Sequence, residues 1–217
     1  MIKKHASKFL LLLTAVGLIV GFFIVVIIEP TTHLEPIPLY TQGQPTLGDP
    51  SAKVQIVVFE DPKCNNCINY HRETFSLLKK DFIDTGKARY TVYLVSGLKQ
   101  SATISNFLFC INQQSTTAFF EFLDDFYKTP PLGITDQEII TEMTKEVKLL
   151  KLSVDMEKLT RCADAHSFSQ KVLDNTNYAR AIMGGVIKTP TVFVNGIKIT
   201  RPSYRELKKV IQQELKK

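Results

Sequence analysis

Phe59-Glu60-Asp61-Pro62-Lys63-Cys64-Asn65-Asn66-Cys67-Ile68-Asn69-Tyr70-His71 joins two different patterns. Before it, residues 53–59 are a β-branched run that is apolar on both faces, which predicts a central strand. After it, Ile68, Tyr70, Phe75, Leu77 and Leu78 recur at helical spacing, which predicts a helix over 68–82. Two thiols three positions apart therefore stand at a strand-to-helix junction. If the helix begins at Cys64, its sulfur lies beside unpaired backbone N–H groups and the positive end of the helix dipole. Both favour thiolate, the attacking species in sulfur chemistry. Cys67, one turn further in, is expected to be more buried and able to resolve a mixed disulfide from inside. Lys63 adds positive potential, while Glu60 and Asp61 oppose it.

The same spacing is shared by zinc half-sites, and Cys67 with His71, like Cys162 with His166, has the i,i+4 spacing of a helical ligand pair. A structural zinc site takes four ligands, and the chain has no second CxxC, so no metal and no cofactor are expected. Apart from those two pairings, His71 and His166 read as surface or helix-face residues. A purely structural disulfide across Cys64 and Cys67 is also disfavoured, because so short a loop constrains the unfolded chain little.

Outward from this stretch, 217 residues at 44% hydrophobic and 22% charged suffice for one medium domain with an inserted subdomain. The formal net charge is +6, but removing Lys3, Lys4, Lys8 and Glu29 leaves 24 basic against 20 acidic residues. That excess is mild and evenly spread, which argues against nucleic acid as a partner. Residues 9–28 are twenty positions without a charge, about 30 Å as a helix, which matches a hydrocarbon core. The basic end, residues 1–8, would stay in the cytoplasm by the positive-inside rule, so everything after residue 28 would be exported. A cleaved signal peptide has a shorter apolar region and a small-residue site; here the run ends Val-Val-Ile-Ile-Glu-Pro, which favours an uncleaved transmembrane anchor. Residues 29–50 hold five of the ten prolines, and 29–46 read as an extended tether.

Beyond the helix, Asp84-Thr85-Gly86 is a turn and residues 88–95 a second strand. From about 101 to 177 apolar residues recur at helical spacing, as in Ile104, Phe107, Leu108 and Ile111, and again in Phe119, Phe122, Leu123 and Phe126. Asn195-Gly196 between alternating apolar residues predicts a two-residue hairpin, with Pro190 at the head of its first strand. Ser203 with Glu206 three positions on predicts the start of a terminal helix.

The approach Gly48-Asp-Pro-Ser-Ala-Lys-Val-Gln-Ile-Val-Val-Phe59, the CxxC, the helical block and Gly185-Val-Ile-Lys-Thr189-Pro190-Thr-Val-Phe-Val-Asn-Gly196 together resemble the DsbA-like branch of the thioredoxin superfamily. The resemblance covers residues 47–215. It implies an α/β, thioredoxin-like fold over 47–217, interrupted by a helical subdomain at about 101–177; the uncharged run 9–28 adds one transmembrane helix before it. It implies Cys64 as nucleophile, Cys67 as resolving thiol, Pro190 as a cis-proline beside them, and the backbone of Thr189 pairing with the substrate strand. The sequence departs from the family at two places. Asn65 and Asn66 stand where many members carry a proline or histidine, and Val58 stands where many bury an acidic residue. Glu60 or a water is then the candidate proton relay, against the reading of an exposed strand-end carboxylate. Lys63, Asn65, Asn66, Glu60 and His71 are the candidate tuning residues. Cys110 and Cys162 both fall on helices of the insertion. In an oxidising compartment a bridge between them is the simplest assignment, the alternative being two small core residues that do not meet.

The function expected from this resemblance is extracytoplasmic thiol–disulfide exchange at Cys64-Asn-Asn-Cys67, introducing disulfides into unfolded or reduced exported proteins, with a membrane redox partner restoring the active disulfide. The protein would be a single-pass protein of the bacterial cytoplasmic membrane, its domain on the periplasmic side. A disulfide isomerase or reductase of the same fold is the nearest alternative, and a non-catalytic metal-binding thiol protein a more distant one.

Overall fold

In the computed structural model, which describes residues 35–130 and 135–217, the β-branched run before Cys64 is a central strand. A short β1 (Thr46–Leu47) precedes β2 (Val54–Glu60), which enters a continuous helical stretch. That stretch is α1 (Asn65–Tyr70), a π-helical turn (His71–Phe75), α2 (Ser76–Leu78) and a second π-helical turn (Lys79–Ile83). After β3 (Ala88–Leu94) come five helices: α3 (Ser101–Asn112), α4 (Thr116–Lys128), α5 (Asp136–Leu149), α6 (Met156–Asp164) and α7 (Ser169–Ile182). The chain ends with β4 (Thr191–Val194), β5 (Ile197–Ile199) and α8 (Tyr204–Lys216).

The strands form one sheet in the order β1-β3-β2-β4-β5. β2 is parallel to β3 and antiparallel to β4, so it is flanked on both sides and cannot leave backbone groups to solvent. Its alternate residues serve two cores. Val54, Ile56 and Val58 face a large cluster shared with α1, the insertion and α8, while Val57 and Phe59 face a smaller one with Tyr93, Val95, Phe193 and α7. The sheet is therefore covered on both faces, as a mixed sheet with a parallel central pair requires. α3 is buried nearly all round and is the axis of the insertion.

Two loops rest on local chemistry. Asn195 and Gly196 both have positive φ, 47° and 81°, the conformation of a type I′ hairpin turn. A Cβ on Gly196 would also come within 2.3 Å of the Ile37 carbonyl oxygen, whose own amide donates to the Gly196 carbonyl at 3.0 Å. α5 opens with a capping box, the Thr135 hydroxyl accepting from the Glu138 amide and the Glu138 carboxylate from that of Thr135. Ser203 caps α8 by accepting from the Glu206 amide.

The tether reading of 29–46 needs correction over its described part. Ile37 and Leu39 pack on the smaller core, and Gln44 exchanges hydrogen bonds with Asn175 of α7. Proline-rich composition suppresses periodicity, but an extended edge segment needs none to lie along a sheet. The basic end at 1–8 and the anchor read over 9–28 lie outside the described residues. Among the described residues, no helix is long and apolar enough to cross a membrane.

Candidate active site

Cys64 is the N-cap of α1, with extended backbone (φ −79°, ψ 117°), and its carbonyl accepts from the amides of Cys67 and Ile68. The side chain is half-buried and Cys67 fully buried, and both carry free thiols. Across from them, Thr189–Pro190 is a cis peptide at the entry to β4, and Cys64 Sγ lies 3.4 Å from the Thr189 carbonyl oxygen. Strand β2 and strand β4 are hydrogen-bonded neighbours, which is why two motifs 125 residues apart meet.

The two thiols are electrostatically unequal. The Cys64 pKa is drawn down to about 5, first by the hydrogen bond from the Cys67 thiol, then by the Thr189 side chain and the amides of Cys67 and Asn66, against the opposing effect of burial. Both amides belong to the first turn of α1, at the positive end of the helix dipole. The Cys67 thiol is pushed well above its ordinary value by burial, by its donation to Cys64 and by the charges of Glu60 and Cys64. One sulfur is thus a thiolate at neutral pH and the other a thiol, the division of labour that a two-step exchange needs.

Beneath them lies Glu60. Rather than an exposed strand-end carboxylate, it is fully buried, accepting from the Tyr90 hydroxyl at 3.1 Å and the Tyr127 hydroxyl at 3.0 Å. Burial lifts its pKa to about 7 despite those two hydrogen bonds, and the charge of Cys64 lifts it further. Val58 and Glu60 differ by two positions, so on a strand they share a face. The acid is displaced by one pleat and still faces the core that contains Cys67.

His71 also needs correction. It is 1% exposed, held between the rings of Phe75 and Tyr127 at centroid distances of 4.3 and 4.6 Å. Among the described residues neither ring nitrogen has a hydrogen-bond partner, and burial, with the nearby charge of Lys128, drives its pKa down to about 3. His166 is exposed with positive φ, 49°. Cys162 is joined to Cys110 by a disulfide, Cα–Cα 5.8 Å, which ties α6 to α3. Its sulfur is therefore not free to pair with His166 as a ligand. Asn65 and Asn66 are exposed on the first turn of α1, and Lys63 is half-buried.

Two residues of the site, Tyr90 and Tyr127, gave no sequence signal, and Asp61 none for its structural role. Tyr90 and Tyr127 reach Glu60 from β3 and from α4. Asp61, 2% exposed, accepts from the amides of Lys63, Gly97 and Leu98 and from the Ser101 hydroxyl at 2.9, 2.7, 3.1 and 2.5 Å. It thereby fastens the approach to Cys64 onto the loop that enters the insertion. Glu60 was a candidate relay from its place at the strand end; the tyrosines and the Asp61 donors are long-range partners that no local pattern announces.

The family model described as Thioredoxin matches residues 40–213. The chain belongs to the thioredoxin family. Within that family it is a DsbA-like thiol–disulfide oxidoreductase. It is 27% identical over 181 residues to disulfide bond formation protein D of Bacillus subtilis, covering 81% of this chain and 78% of that one. A crystal structure of DsbA from Chlamydia trachomatis superposes with a TM-score of 0.71 at 29% identity, covering 85% of this chain and 96% of the other. That of oxidised BdbD from Bacillus subtilis gives 0.73 at 24% identity, over 85% and 98%, and agrees in fold. The helical insertion between β3 and β4 is part of this thioredoxin-family chain's own sheet-and-helix unit, Glu35–Lys217.

Proposed function

We propose that this oxidoreductase introduces disulfides into exported proteins, with Cys64 as the exchanging sulfur and Cys67 as its partner. The observation that carries the reading is the asymmetry of the pair: a half-buried Cys64 drawn down to about 5 beside a buried Cys67 pushed far up. In the oxidised protein a substrate thiolate attacks Cys64 Sγ. The Cys64–Cys67 bond breaks, and Cys67 leaves as a thiolate that takes up a proton. A second substrate thiolate then attacks the substrate sulfur of the mixed disulfide and expels Cys64 as thiolate. Two electrons have passed from the substrate to the Cys64–Cys67 pair, and a membrane redox partner must remove them. Alternatively Cys67 attacks Cys64 and returns the substrate unchanged.

A leaving thiol departs faster the lower its pKa, which favours expulsion of Cys64 in the second step, and a stabilised Cys64 thiolate also stabilises the reduced pair, so the equilibrium favours oxidation of the substrate. Glu60, protonated up to about pH 7, is the proton source for departing Cys67, and Tyr90 and Tyr127 hold its carboxyl in place. The backbone of Thr189, opposite Cys64, offers an edge on which an extended substrate segment pairs. Asn65, Asn66 and Lys63 tune the thiolate through the first turn of α1 and its approach. The uncharged stretch 9–28 tethers the domain to the bacterial cytoplasmic membrane, facing the periplasmic side.

The test is the reduction potential of the Cys64–Cys67 pair, together with trapping in cells. An oxidant is expected near −120 mV rather than about −270 mV, and a Cys67→Ala variant should accumulate mixed disulfides with exported proteins that Cys64→Ser lacks. A potential at the lower figure with mostly reduced Cys64 in cells would assign reduction or isomerisation instead.

A further inference from the structure

The outer face of α8 differs from those of the helices of the insertion. Its exposed positions are 205, 209, 212, 213 and 216, and the stripe Arg205, Lys209, Gln212 and Lys216 follows helical spacing along one side. That stripe carries three cations and no acid. The helix does hold two carboxylates, but neither is exposed: Glu214 is 7% exposed, accepting from Asn195 and paired with Lys217, and Glu206 is half-buried in the first turn. Arg205, Lys209 and Lys216 have no ion-pair partner among the described residues. By contrast, the exposed positions of α4, α5, α6 and α7 each mix acidic with basic residues. Like charges four positions apart on a helix repel and weaken it, so the stripe adds nothing to the fold and presents its charge to an anionic partner.

The route by which the chain enters the domain identifies that partner. Ile37, packed on the smaller core, donates its amide to the Gly196 carbonyl at 3.0 Å. The adjoining Asn195 side chain donates to Glu214 at 3.1 Å, and Lys53 donates to the Leu215 carbonyl at 3.1 Å. Chain entry and the last turn of α8 are thus fixed to one hairpin. Only residues 29–36 separate Ile37 from the end of the uncharged run, and eight residues reach at most about 29 Å. With residues 9–28 in a bilayer, the cationic face is confined near its surface. A charge interaction too weak to recruit a free protein then suffices to dock a tethered one. We propose that the outer face of α8 docks on the anionic phospholipid headgroups of the membrane that residues 9–28 enter. This rests on the reading of 9–28 as an anchor. α8 runs from Ser203, in the wall of the groove beside Pro190, to the hairpin. Docking along it holds the Pro190 end at the level of the headgroups, where a membrane redox partner would meet it.

The test uses the full chain reconstituted into vesicles of phosphatidylcholine, alone or with about a third phosphatidylglycerol, and lysine acylation by a neutral N-hydroxysuccinimide ester located by mass spectrometry. Lys148, exposed on α5, is the internal reference. At low salt the Lys209 and Lys216 rates, each divided by that of Lys148, should fall at least about fivefold when phosphatidylglycerol is present, the worth of one cation near an anionic surface. The difference should vanish at about 1 M salt, where charges are screened within ~3 Å. Arg205→Glu with Lys209→Glu should restore the Lys216 rate; both positions are exposed, so the core and exchange at Cys64 are left intact. Equal ratios in the two lipids, or protection that survives the charge reversal, overturn the docking while the anchor stands. Anchorage is read separately, from flotation with phosphatidylcholine vesicles at about 1 M salt. A chain that stays behind removes the anchor and the docking together.

Discussion

At the scale of single residues, the site is a set of proton affinities arranged by burial. Cys64 is held as thiolate by donors, Cys67 as thiol by its surroundings, and Glu60 near neutrality by the lack of water around it. Alkylation of the reduced protein should therefore modify Cys64 alone, with a rate that rises through a midpoint near pH 5 and is flat by pH 7. A midpoint near 8.5, the ordinary value for a free thiol, would remove the thiolate from the argument. Glu60 makes the opposite kind of prediction. Its folded pKa, about 7, exceeds its ordinary value of 4.5, so the folded state binds this proton more tightly than the unfolded chain. The resulting stability is complete below about pH 4.5 and disappears as pH rises through 7. Glu60→Gln keeps acceptor and donor capacity without the charge. Urea midpoints at pH 5 and pH 8 should show it gaining roughly 2–3 kcal/mol on the parent at the higher pH. The same variant should slow departure of Cys67, visible as slower mixed-disulfide formation by the oxidised protein.

Elements carry the constraints that hold these residues at fixed separation. The Cys110–Cys162 bridge closes a 52-residue separation and joins α3 to α6, the axis of the insertion to a peripheral helix. In the chain-entropy account a loop of that size contributes about 4 kcal/mol. Cys110→Ala with Cys162→Ala should lower the urea-unfolding free energy by roughly 2–4 kcal/mol while exchange at Cys64 persists, because neither sulfur reaches the site. Loss of exchange with the fold intact would mean that the insertion positions the site through this bridge. The hairpin offers a second handle. Gly196 has φ 81° and the Ile37 carbonyl directly against it, so Gly196→Ala should cost at least about 1 kcal/mol and loosen the segment around Ile37. Elements were the most legible level of the sequence. Periodicity located β2, β3 and the helical block, and Asn195-Gly196 declared its own turn chemistry. β1 is not legible because two residues carry no period.

For the molecule as a whole, what sequence left open is which distant groups converge. Cys64 and Pro190 were readable because each belongs to a local motif. Glu60, by contrast, acquires its character from the layers that bury it, among them the tyrosines of β3 and α4, and His71 from the rings of Phe75 and Tyr127 that enclose it. Burial is a property of the assembled layers, so neither could be weighed from its neighbours in the chain. In the reduced protein the folded structure supplies the Cys64 thiolate with hydrogen bonds that a disulfide sulfur forgoes. The two-residue loop closed by oxidation, in turn, restricts the unfolded chain very little. Reduced protein, with Cys110–Cys162 still closed and two free thiols counted by mass, should thus unfold at higher urea than oxidised protein at pH 7. The sign follows from the pKa, which lies below its ordinary value in the folded state. Its contribution is complete above about pH 9, the unfolded value, and is lost as pH falls through about 5. The gap between the two urea midpoints should accordingly widen from pH 5 to pH 9. An oxidised form more stable than the reduced one at pH 7 would mean that the fold favours its own disulfide, and the protein would then drive electrons towards its substrates.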